Sequence, residues 1–248
     1  MNTDQFWQII EATQAATQEE QLEKFRRELQ RLTPQELIEF DRCFVECSFA
    51  AYNWDLWLAT WLCQGGRCSD DCFADFRIWL ISRGRGTYEA ALQDADALVD
   101  ELRQTQDPDF ELFGSIPNDA YRLMTGEWFP DREFQHPKEP AGGAWLRPEL
   151  KDRTGSKLIN RCVVFNEMGE QEFAAIETRF PRIWKLCVER GIITTGPQPP
   201  PSTIPAPEEV AATVVDPNLA ETDFPAYLKA LGEAARQAYK PKDQTPRS

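Results

Sequence analysis

Thr33-Pro34-Gln35-Glu36-Leu37-Ile38-Glu39-Phe40-Asp41-Arg42-Cys43-Phe44-Val45-Glu46-Cys47 is the stretch that decides the fold class. Thr33 and Glu36 have the spacing of a capping box, in which each side chain bonds the other's backbone N–H, and Pro34 falls at the first helical position, where a missing N–H costs nothing. Leu37, Phe40, Phe44 and Cys47 then recur at intervals of three and four, the period of a helix with one buried face. The spacing predicts a helix running on into Phe49 and Tyr52.

The same grammar extends to both sides. Upstream, Thr17-Gln18-Glu19-Glu20 reads as another capping box, followed by Leu22, Phe25, Leu29 and Leu32, and before it Phe6, Trp7, Ile9 and Ile10 predict a first helix with Thr3 as its cap. Downstream, the aromatic stripe Trp54, Trp57, Leu58, Trp61 and Leu62 stops at Gly65-Gly66, and Ser69 caps a further helix that buries Phe73, Phe76, Trp79 and Leu80 and ends at Gly84. Two shorter helices are expected over Tyr88 to Leu92 and, capped by Asp94, over Ala95 to Leu102. Another is expected from about Pro117 to Gly126.

From Glu127 to Gly155 four prolines and Gly142-Gly143 forbid long regular elements, so an ordered loop or insertion is expected, with Trp128, Phe129, Phe134 and Trp145 needing partners. Leu158 to Phe165 has the composition of a strand. Helical spacing returns at Phe173, Ile176 and Phe180, resumes after Pro181 with Ile183, Trp184, Cys187 and Val188, and closes at Gly191. The fold class is therefore mainly α: a compact multi-helix domain with an irregular Pro/Gly-rich insertion and a disordered C-terminal linker.

The expected organisation is a helical domain over 1–193, a disordered proline-rich linker over 194–221, and a short amphipathic helix with a charged end over 222–248. Gly196 to Pro217 lacks large aromatics and cannot offset its ordering entropy by burial. Phe224, Tyr227, Leu228 and Leu231 beyond it have helical spacing, suited either to docking back on the domain or to holding a partner.

The chain carries 41 acidic against 27 basic residues, a formal net charge of −14 that repels a phosphate backbone, so nucleic acid is not an expected partner and a basic protein is. The plainer use of that charge is solubility. The sequence has no run of about 18 apolar residues and no leader pattern, so neither membrane partner nor export is expected. Seven cysteines, an odd number set among bulky apolar residues, suit reduced thiols in a cytoplasmic setting.

Gly65-Gly66-Arg67-Cys68-Ser69-Asp70-Asp71-Cys72-Phe73-Ala74-Asp75-Phe76-Arg77-Ile78-Trp79-Leu80-Ile81, followed by Gly84 and by Tyr88-Glu89-Ala90-Ala91-Leu92-Gln93-Asp94-Ala95-Asp96-Ala97-Leu98, resembles the bacterial family catalogued as domain of unknown function 4240. Phe6-Trp7-Gln8-Ile9-Ile10 and Phe180-Pro181-Arg182-Ile183-Trp184 are similar to that family's edges, which puts the resemblance over about residues 1–190. It implies a single bacterial helical domain and no activity. The segment from Pro137 to Phe165 departs from it.

Ser69, Asp70, Asp71, Asp75 and Arg77 form the densest candidate ligand-binding set. Free N–H groups at a helix start favour an anion, and neighbouring carboxylates favour a cation. Each residue also has a structural use: Ser69 as cap, Asp70 and Asp71 as partners of the helix dipole, Asp75 and Arg77 as members of ion pairs, with Asp94 or Asp96 the expected partner of Arg77. Between Tyr88 and Ala120 nine carboxylates face the single Arg103, which reads as a solvated acidic face or as a docking surface for a basic protein.

No metal and no cofactor are expected. Cys43 and Cys47, and Cys68 and Cys72, lie four apart with Cys63 nearby, but the short Cys-x-x-Cys knuckles of structural zinc sites are missing. The lone histidine, His136, cannot build a multi-histidine centre and leaves little room for a triad. The reading that follows is a non-enzymatic protein-binding or regulatory module presenting an acidic face. Its rivals are a carboxylate-based enzyme or small-ligand-binding domain centred on the helix that starts at Ser69, and an acidic mimic of nucleic acid.

Overall fold

In the computed structural model the chain divides into two units, Met1–Thr195 and Gly196–Ser248. The residues described are 1–65, 68–105, 107–130, 134–142 and 170–193, all within the first unit. The expectations for Trp145, for a strand over Leu158 to Phe165, and for everything past residue 193 lie outside them. The described residues are mostly helical and contain no strand.

The described residues form ten α-helices: α1 (Thr3–Ala12), α2 (Gln18–Leu29), α3 (Pro34–Ala50), α4 (Trp54–Cys63), α5 (Asp70–Ser82), α6 (Arg85–Gln93), α7 (Val99–Gln104), α8 (Glu111–Thr125), α9 (Glu170–Arg179) and α10 (Pro181–Glu189). A 3₁₀ turn, Ala95–Leu98, joins α6 to α7. Most starts are set locally. Thr33 and Glu36 exchange both bonds of the capping box, Thr17 accepts the Glu20 N–H at 3.2 Å, and Ser69 accepts the Cys72 N–H at 3.2 Å. Thr3 is not the cap of α1. Asn2 is, because its carboxamide oxygen accepts the Gln5 N–H at 2.9 Å while the Gln5 side chain accepts the Asn2 N–H at 3.0 Å, leaving Thr3 as the first helical residue.

α8 begins at Glu111, six residues ahead of the expected start near Pro117. Phe113, Ile116 and Ala120 continue one buried face through the proline, and the burial they gain outweighs the one backbone bond that Pro117 cannot donate. Packing then places α8 against α2, α3 and α5. At Gly114 a Cβ would lie 2.7 Å from the end of the Ile78 side chain, so the glycine permits the close approach of α8 to α5.

One core runs through the unit. At one end Phe6, Phe25, Phe40, Phe44 and Phe113 meet, with Phe25 and Phe113 stacked 4.0 Å apart. In the middle Trp57 stacks on Phe73 at 4.7 Å. α4 is buried over nearly its whole length, as expected of a helix that is apolar on all sides. α10 closes the far end by packing on α4, α7 and the 3₁₀ turn.

The irregular segment is partly anchored. The Ala141 N–H donates to the Tyr52 carbonyl at 2.8 Å and the Trp54 N–H to the Ala141 carbonyl at 3.0 Å, which ties it to the α3–α4 corner. Phe129 stacks on Tyr121 at 4.7 Å, and His136 sets its ring edge-on to Phe49 and Tyr52. Trp128 does not find a core: it stays 63% exposed under the Arg122 guanidinium, because it lies past the end of α8, beyond reach of the buried layer.

Candidate functional site

The start of α5 positions four of the five candidates. Ser69 is exposed and bonded as cap, Asp71 is exposed, and Asp70 and Asp75 are half-buried on the first two turns. Asp75 faces the lead-in to α8. Burial first, and then the charges of Asp109, Glu111 and Asp71, push its carboxyl up to about 6, while the opposing pull of Arg77 is the smallest of these influences. The start of α2 adjoins the same region, since the Gln18 side chain donates to the Asp109 carbonyl at 2.8 Å and the first turn of α2 carries Glu19 and Glu20. Acidic groups from α5, α8 and the loop before it are thus brought together by the fold. Asp109 and Glu111 belong to the acidic run read from the sequence, but nothing in that reading joined them to Asp75.

Arg77 behaves differently. It is 5% exposed, its Nη1 donates to the Ser48 carbonyl at 3.0 Å and its Nε to the Phe73 carbonyl at 3.3 Å, and its guanidinium lies 4.9 Å from the Tyr52 ring centre. Burial lowers its affinity for its proton. The expected brace to Asp94 or Asp96 is not made. Asp96 instead takes the backbone N–H groups of Arg182 and Ile183, at 3.1 and 2.8 Å, and Arg182 Nε at 3.0 Å, because it lies under the start of α10 while Arg77 points at the end of α3.

The cysteines fall into pairs rather than one cluster. Cys68 Sγ and Cys72 Sγ are 3.2 Å apart, and Cys63 and Cys187 are 4.0 Å apart between α4 and α10. Among the described residues no group of three or more His, Cys, Asp or Glu side chains is arranged to hold a metal ion.

Neither of two cavities among the described residues is lined by the five candidates. One, of about 390 Å³, lies between α1, α2 and α3 beside Met1, whose amino group pairs with Glu39. The other, of about 380 Å³, is lined by Asp41, Phe49, Phe134 and His136 among others. No helix among the described residues is long and apolar enough to cross a membrane.

Neither a curated protein nor a solved structure matches the chain. The family resemblance holds over the part that builds the acidic region, and the segment from 124 to 190 lies beyond the match. Residues 1–123, which carry α1 to α7, most of α8 and all five candidate residues, match the family described as protein of unknown function (DUF4240).

Proposed function

We propose that this chain is a non-enzymatic protein-binding or regulatory module whose acidic face takes a basic polypeptide. The observation that carries the reading is the packing of α8 on α5, which brings Asp71, Asp75, Asp109 and Glu111 together; burial first, and then the charges of the other three, raise the proton affinity of Asp75. Carboxylates held together at this cost are relieved when a Lys or Arg side chain arrives between them. Exposed apolar side chains on the neighbouring α8, Leu112 at 61% and Leu123 at 74%, supply area that a polypeptide could cover. The enzyme or small-ligand reading draws less support, because Arg77, the cation of that set, is occupied by the Ser48 and Phe73 carbonyls and the Tyr52 ring.

Fluorescence anisotropy with a labelled oligolysine peptide at low and moderate salt tests this. Binding that weakens with salt is expected, and neutralising Asp109→Asn with Glu111→Gln should weaken it further by roughly twofold to tenfold, the yield of one or two exposed charge contacts. Neutralising Glu11 and Glu177, on other faces, should change little. Absence of binding at low salt, or equal loss in both double variants, would overturn the reading.

A further inference from the structure

Cys68 and Cys72 are placed as a reactive pair. Their sulfurs are 3.2 Å apart, so a disulfide of about 2.0 Å requires an approach of roughly 1 Å. That approach is available, because Cys68 precedes the cap of α5 and its backbone is outside the helix, whereas Cys72 sits on the first turn. The main chain at Cys68 is held by the Trp57 indole, which donates to its carbonyl at 3.2 Å. The Cys72 thiol is half-buried and contacts the Gln64 side-chain oxygen at 2.8 Å, while Cys68 is 3% exposed. One thiol can therefore be reached from solvent and the other only from its neighbour.

We propose that Cys68 and Cys72 form a reversible, peroxide-sensitive disulfide, in which hydrogen peroxide oxidises Cys72 and Cys68 resolves the product. In the first step the Cys72 thiolate attacks the peroxide oxygen, the O–O bond breaks, and with one proton the products are Cys72 sulfenic acid and water. In the second step the Cys68 sulfur attacks the Cys72 sulfur, the S–O bond breaks, and the departing hydroxide takes the Cys68 proton to leave a second water. Two thiols lose two electrons and two protons, and the peroxide is reduced to two waters. The contact between the sulfurs favours this division of labour: once Cys72 has lost its proton only the Cys68 thiol can donate between them, and that bond lowers the Cys72 proton affinity and raises that of Cys68, against the burial of Cys72 and the charges of Asp75 and Asp107. Cys63 and Cys187 have no comparable route, since both are buried and both lie in helices packed against each other.

Peptide mapping of the full chain after limiting hydrogen peroxide tests the assignment directly. Trypsin cutting after Arg67 and Arg77 releases both cysteines in one peptide, so the bond reads as the loss of two hydrogens within residues 68–77, reversed by dithiothreitol. Cys68→Ser should leave a sulfenic acid on Cys72 that dimedone captures, and Cys72→Ser should leave Cys68 unmodified. Cys72 should react at least about tenfold faster than Cys63 or Cys187, as its access and thiolate fraction require. A first oxidation at any other cysteine, or dimedone capture of Cys68 in the Cys72→Ser chain at the original rate, would overturn it. If either variant fails to fold, the wild-type map still decides.

Discussion

Asp75 holds its proton to about pH 6, well above the ordinary value of 3.8, because it is partly desolvated and surrounded by like charge. The unfolded chain releases that proton near pH 4 and the folded chain near 6, so the folded state binds more protons in between and stability falls as pH rises through that window. Below about pH 4 the penalty vanishes; above about 6 it is complete. The shift alone would correspond to roughly 3 kcal/mol, but Asp75 keeps contact with water and screening reduces this to about 1 or less. Asp75→Asn should accordingly stabilise the fold by up to about 1 kcal/mol at pH 7.5 and by nothing at pH 4, read by urea unfolding at both. Equal effects at the two pH values would show that the carboxyl feels no such field. Sequence reading selected Asp75 but could not supply its neighbours, because Asp109 and Glu111 reach it only through the packing of α8 on α5. Arg77 was misread for the related reason that helical spacing specifies a face and not what covers it: main-chain carbonyls and an aromatic ring, rather than a carboxylate, lie there.

Among the helices, those capped from within four residues were legible, as Thr17, Thr33 and Ser69 demonstrate. α10 was legible as a helix and illegible in how it starts. The residue before it, Phe180, has no side-chain acceptor, and Pro181 fills the first position; the acceptor comes from Asp96, 86 and 87 residues earlier. Asp96 is 3% exposed and accepts from three donors at this one helix start, two of them backbone amides. Asp96→Ala should cost about 2 to 4 kcal/mol, the sum of a lost cap and a buried amide left without an acceptor. Arg182→Ala removes only the half-exposed side-chain contacts with Asp94 and Asp96 and should cost less than about 1 kcal/mol. Urea midpoints of the two variants measure the difference, and comparable losses would mean that the ion pair, not the cap, holds α10. α8 shows the opposite failure of local reading, a proline taken for a start that in fact lies inside the helix.

At the level of the whole chain, the buried cluster of the described residues begins at Phe6 and ends at Ile193. The chain divides after Thr195 and Gly196 to Pro217 lacks large aromatics, so a chain stopped at Thr195 should keep its thermal midpoint, and a clear drop would show that residues past 195 contribute to the core. Closure of that core also depends on order of arrival. Ribosomal synthesis delivers Asp96 well before the amide of Ile183, and at 5 to 20 residues per second the 87-residue separation is an interval of roughly 4 to 17 s. During that interval a carboxylate destined for burial has no helix to cap, and the surface of α4 that α10 will cover faces water. α10, made after every element it covers, is thus the helix that locks the first-made core, so a nascent chain released short of residue 193 will present an open apolar flank to chaperones and proteases, whereas a chain only a few residues longer will not.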